Sequence, residues 1–127
     1  LNAQDLMTKA VRAAESAKIL LDTDDKEGAC DRAYYAMFNA ARAALLASVA
    51  PVEPDIARTH SGLISAFSLH LVKTGRVPVE YGRALNRVEE LRLIADYRGD
   101  PIEQEQAAWA VNQAQIFVQI MQAMFMG

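Results

Sequence analysis

This chain has almost nothing with which to staple itself or hold a metal. Its one cysteine, Cys30, excludes an intrachain disulfide. No secretory leader opens the sequence, so a reducing cytoplasm is the expected location and no export is implied. Its two histidines, His60 and His70, have no cysteine beside them and do not form a His-Glu-x-x-His helix, so no metal is expected. Neither a Gly-rich phosphate loop, a nucleophile elbow nor a triad pattern is present, and no cofactor is implied. An excess of basic charge is missing too: the formal net charge of −3 argues against a generally basic nucleic-acid coat, while leaving room for a local basic patch. The longest apolar stretches, AYYAMFNAARAALLASVA and IFVQIMQAMFM, are broken by Asn39, Arg42, Gln119 and Gln122, which is poor material for a membrane span of roughly 20 apolar residues. Leu1 stands where an initiator Met would, so further residues are expected ahead of it.

What is present is the composition of an ordinary globular protein. The 127 residues are 52% hydrophobic and 23% charged, enough for a single domain over 1–127 with a real core. Ala-, Leu- and Glu-rich segments alternate with short breakers, and no stretch alternates with the period of two that a strand needs. The expected fold is all-α, an antiparallel bundle of four to five helices.

A first helix is predicted over about residues 3 to 22, with Leu6, Ala10, Ala13, Ala14, Ala17 and Leu21 as its apolar stripe. Asp24 and Glu27 suggest a capping box for a second helix running to about Ser48, where APVEP stops it. This helix carries Tyr34, Tyr35, Phe38, Ala41 and Leu45 on one side. Its other side is nearly all alanine, at Ala29, Ala33, Ala36, Ala40, Ala43, Ala44 and Ala47. Small side chains let another backbone approach closely, which predicts a central helix contacted on both sides. Thr59 can cap a third helix that ends near KTGRVP, and a fourth runs from about Glu80 to Tyr97. Asp100-Pro101-Ile102-Glu103 has the form of a helix start for the last helix, which carries Ala107, Val111, Ala114, Val118, Met121 and Phe125. The PVEPDIAR connection is the one loop long enough to suggest mobility or ligand access.

Charge on the apolar side of two helices is the main anomaly. In ELRLIADYRGD, Arg92 projects between Leu85 and Val88, with Asp96 one turn beyond it. On the second helix Asp31 and Arg42 share a side with Tyr35 and Phe38. Buried charges are costly unless paired, so Asp31, Arg42, Arg92 and Asp96 are expected to form an interhelical network or to line a cleft. A register-fixing ion-pair network is the simpler of those two outcomes. Removing Arg92 is then expected to cost roughly 3–5 kcal/mol if it strands a buried carboxylate.

The other polar and aromatic residues have plainer readings. Tyr34, Tyr35, Tyr81 and Tyr97 could stack on bases, yet aromatic residues at helical spacing more often form core. Arg76, Arg83, Arg87 and Arg98 read as a solvated face diluted by Glu80, Glu89 and Glu90. His60 reads as a first-turn residue making a hydrogen bond rather than a catalytic base. Met121, Met124 and Met126 read as adaptable packing.

The segments DRAYYAMFNAARAAL, THSGLISAF, LVKTGRVPVEYGRALNR and ELRLIADY, in that order and at these distances, resemble the HEPN domain superfamily. The resemblance is closest to its prokaryotic branch of small proteins written UPF0332, and it extends from about Asp31 to the last helix. It implies a helical bundle, commonly dimeric, often encoded beside a minimal nucleotidyltransferase as toxin and antitoxin. Active members are metal-independent ribonucleases in which an Arg is followed four to six residues later by His, the two motifs meeting at a dimer interface. Here Arg92 occupies the comparable place, but Asp96 and Tyr97 follow it and no His does. Metal-free RNA cleavage needs a group that exchanges protons near neutral pH, and a carboxylate paired to Arg serves poorly. The expectation is therefore an interaction or nucleotide/RNA-binding module, a homodimer, with a nucleotidyltransferase as partner. The alternatives are a divergent ribonuclease using Arg92 with Asp96, Tyr97 or His60, and a purely structural dimer module.

Overall fold

A computed structural model describes residues 1–48 and 58–127 of the chain. Except for Arg58, the PVEPDIAR connection lies outside the described residues, as does the APVEP stretch expected to stop the second helix. The described residues form five helices and no strand: α1 (Ala3–Asp22), α2 (Lys26–Ala47), α3 (His60–Phe67), α4 (Val79–Leu93) and α5 (Gln104–Phe125). Both α3 and α4 continue without a break into a single π-helical turn, Ser68–Val72 and Ile94–Arg98 respectively.

Local chemistry explains most of the boundaries. Asn2 caps α1 in a reciprocal box with Asp5, satisfying two of the backbone N–H groups that a helix start leaves without partners. Asp25 caps α2 by accepting from the Gly28 N–H, and Thr59 caps α3 by accepting from the Gly62 N–H. The expected Asp24–Glu27 box is therefore corrected by one residue. Asp24 instead adopts the left-handed conformation, φ 66°, that turns the chain between α1 and α2. Gly99, at φ 71°, ends the π-turn after α4 in the way glycine ends many helices.

The start of α5 also departs from expectation. Glu103, not Asp100, is the N-cap, in a box with Gln106, and the helix proper begins at Gln104. Ile102 decides this. Just outside the helix, it is only 3% exposed and joins the same core as Ala107, the placement of a hydrophobic staple.

α2 is the centre of the molecule, packed against α1, α5 and α4. Ala29, Ala33, Ala36, Ala40, Ala43 and Ala44 are fully buried, so the alanine face is an intrachain contact. Tyr34, Met37, Phe67, Leu85, Leu91 and Phe117 are among the large side chains that fill the rest of the core. Cys30 lies in this core, where burial and then the nearby Glu27, Asp31 and Asp96 push its thiol up to about 11. No helix among the described residues is long and apolar enough to cross a membrane.

Candidate functional site

The site forms where α2 meets the end of α4 and the start of α3. Among the described residues Arg92 is the buried charged one, 6% exposed, in the last turn of α4 before the backbone widens into the π-turn. Its Nε lies 3.6 Å from Asp31 Oδ1 on α2 and 3.5 Å from Asp96 Oδ2 in the π-turn. These are ion-pair contacts rather than well-formed hydrogen bonds, and among the described residues Nε has no hydrogen-bond partner. Three tyrosine rings compensate. The guanidinium carbon lies 5.2 Å from the Tyr34 centroid, 5.6 Å from that of Tyr35 and 5.8 Å from that of Tyr97, all within cation–π range.

The four charges expected to meet do so only in part. Arg92, Asp31 and Asp96 come together; Arg42 does not join them and instead lies over the Phe38 ring at 5.8 Å. Asp31 and Arg42 share a side of α2 but stand 11 residues apart, about 16 Å along the axis at 1.5 Å per residue. One Arg–Asp pair on α4 can reach only the nearer of them.

The net effect of burial and neighbouring charges shifts both Arg92 and Asp96 upward. Burial works against the Arg92 charge, but Tyr35, Asp96, Tyr97 and Tyr34 outweigh it, and the net direction is upward. Asp96 is pushed above its ordinary value, first by burial and then by the charge of Asp31, with Arg92 pulling the other way. Arg92 is thus committed to holding two carboxylates near the surface, and a phosphate would have to displace them to reach it.

A second chain of polar groups runs behind the cluster. The fully buried Tyr34 hydroxyl lies 3.1 Å from Glu89 Oε2 and 2.8 Å from His60 Nδ1. An ionised Glu89 can only accept, so the consistent arrangement has Tyr34 O–H donating to Glu89 and His60 Nδ1–H donating to the phenolic oxygen. Burial and then the Glu89 charge raise the Tyr34 phenol strongly, keeping it neutral. The His60 ring packs against Tyr34, Tyr35 and Phe38 at 5.3, 5.9 and 5.2 Å between centroids. His60 therefore makes the hydrogen bond expected of it, and it also enters the same aromatic cluster as Arg92.

The remaining candidates separate clearly. Tyr97 is 73% exposed at the mouth of the cluster, whereas Tyr35 and Tyr81 are half-buried. Arg76, Arg83, Arg87 and Arg98 are exposed, and Arg87 pairs with Glu90 at 2.9 Å. Of the methionines, Met121 is buried while Met124 is exposed. No group of His, Cys, Asp and Glu among the described residues could hold a metal ion. Glu89 was not anticipated as a member of the site. Its spacing was the available signal, since it lies one turn before Arg92 and two before Asp96 on the same helix.

The HEPN domain family model matches residues 3–124. The chain belongs to the HEPN domain family. Similar proteins include a UPF0332 protein of Gloeobacter violaceus, 40% identical over 119 residues that cover 92% of this HEPN chain and 90% of the relative. A Methanocaldococcus jannaschii protein whose name designates it, provisionally, a toxin is 35% identical over 115 residues, covering 91% and 82%. A UPF0332 protein of Thermotoga maritima is 37% identical over 98 residues, covering 77% and 70%. The all-α HEPN fold and the UPF0332 kinship implied by the four sequence segments are thus established.

Proposed function

We propose that this HEPN chain acts in the cytoplasm as one member of a toxin–antitoxin pair with a minimal nucleotidyltransferase, as a homodimer, and that its Arg92 end engages nucleotide or RNA. The toxin designation of similar proteins supports the first part. One observation carries the second: a buried arginine holds two carboxylates and the exposed ring of Tyr97 together at one end of the bundle. Carboxylates accept hydrogen bonds from ribose hydroxyls and base amino groups, and an exposed aromatic face stacks on a base. Those groups suit the nucleoside part of a ligand. Arg92 supports them from behind instead of gripping phosphate.

Pull-down of the tagged chain from its host, with mass spectrometry and sequencing of bound RNA, tests the partner. A stoichiometric nucleotidyltransferase is expected; a clean homo-oligomer with neither partner nor RNA favours a purely structural dimer module.

A ribonuclease reading has its own support in the Glu89–Tyr34–His60 chain, which orients an imidazole against Tyr34 and Tyr35, the rings that also face Arg92, even though no His follows Arg92 in sequence. Incubating purified protein with RNA in chelator separates the two readings. Binding without cleavage is expected. Cleavage abolished by both His60→Ala and Arg92→Lys would establish the ribonuclease instead.

A further inference from the structure

A polar groove between α1 and α2 opens beside the Arg92 cluster and shares Tyr35 with it. It is an open groove of about 470 Å³ lined by Lys9, Arg12, Ala13 and Ser16 from α1 and by Arg32, Tyr35, Phe38, Asn39 and Arg42 from α2. A chain with a formal net charge of −3 here gathers four cations, and no carboxylate is among the lining residues. The guanidinium of Arg32 stacks 5.3 Å from the Tyr35 centroid, and its Nε is buried with no hydrogen-bond partner among the described residues. Arg42 lies over Phe38, its guanidinium pushed down by burial and then by the like charge of Arg58. Four cations lining one groove with no lining carboxylate make it a favourable place for a polyanion.

We propose that this groove binds the backbone of single-stranded RNA and leads it toward the Arg92 end. The lining residues of α2 run from Arg32 to Arg42, about 15 Å along the helix axis. They place the half-buried Tyr35 and the buried Phe38 between two arginines, and cationic grooves with an aromatic ring are what single-strand sites use to hold phosphates and stack bases. Tyr35 is common to both places, lining the groove and lying 5.6 Å from the Arg92 guanidinium. A strand in the groove would therefore emerge beside the carboxylates and Tyr97. The class of ligand, RNA, rests on the functional reading above; the surface is a second one with its own charges.

The test is fluorescence anisotropy of a labelled oligouridylate, about 12 nucleotides long to match common single-strand sites, titrated into the full chain at several salt concentrations. Lys9 and Arg12 are exposed, so their joint replacement by Ala spares the core, and a circular-dichroism melt checks that it does. Expected is a loss of affinity of at least tenfold at low salt and a fall of about 1.4 in the slope of log affinity against log salt, two phosphate contacts at about 0.7 each. Unchanged affinity and slope would overturn the proposal. So would a polyglutamate peptide competing as well as RNA of equal charge, which would mark the groove as a surface for an acidic protein. The Tyr97→Ala variant keeps the two sites apart. If it abolishes binding of AMP while the wild type never binds the oligomer, the groove fails and the functional reading stands. If the oligomer binds through Lys9 and Arg12 and no change at the Arg92 end affects any nucleotide, the groove stands and the functional reading fails.

Discussion

Arg92 joins α4 to α2 through the long ion pair with Asp31 and the faces of Tyr34 and Tyr35. It holds Asp96 and Tyr97 of its own π-turn by a second long ion pair and a third ring face, with no hydrogen bond from its Nε among the described residues. Its partners Asp31 and Asp96 keep about a third of their side chains exposed, so water can solvate them once Arg92 is gone. Arg92→Ala should therefore cost about 2–3 kcal/mol, less than the 3–5 typical of breaking a fully buried pair. Urea unfolding measures this, and a change near zero would show that the rings and carboxylates hold together without it. Asp96 supplies a pH signature. Its pKa is raised in the folded protein, so its contribution to stability is fully present below its ordinary value of 3.8 and is lost as pH rises through the higher folded value. Relative to Asp96→Asn, the wild type should lose stability across that mildly acidic window. Parallel pH profiles for the two proteins would contradict the assignment. Tyr34→Phe leaves His60 and Glu89 without their shared hydroxyl and should cost about 1–3 kcal/mol, again read by urea unfolding.

The helices show how far local chemistry reaches. The extent of α1, the alanine side of α2 and the Thr59 cap follow from residue spacing and cap preference, and the structure has them at those residues. Two helix starts were displaced, for different reasons. Asp24 and Asp25 are equivalent as caps in sequence, and only the turn from α1 decides which becomes left-handed. At α5 the burial of Ile102 outweighs the better capping chemistry of Asp100. The π-turns after α3 and α4 carry no periodic signal, although the second of them positions Asp96 and Tyr97. The site was legible as charge on an apolar face. Arg42 was misplaced because viewing a helix down its axis discards distance along it, and His60 was undervalued because its partners lie on other helices. At this scale Ala40→Leu should be damaging, since Ala40 is fully buried on the close-packed side of α2. Overpacking of this kind typically costs about 1–3 kcal/mol. A thermal melt equal to wild type would show that this side has room.

As a whole, the molecule is an acidic HEPN bundle with two differently charged surfaces joined through Tyr35. One is a basic aromatic groove along α1 and α2; the other is the carboxylate-and-tyrosine end held by Arg92. A single-stranded polynucleotide fits that division, with phosphates along the first and a nucleoside at the second. The most direct test is a titration of isotope-labelled protein with AMP, followed by backbone amide chemical shifts. Saturable shifts concentrated at Asp31, Tyr35, Asp96 and Tyr97 are predicted, and they should vanish in the Tyr97→Ala variant. No saturable shifts, or shifts confined to residues away from the Arg92 end, would contradict nucleotide binding there.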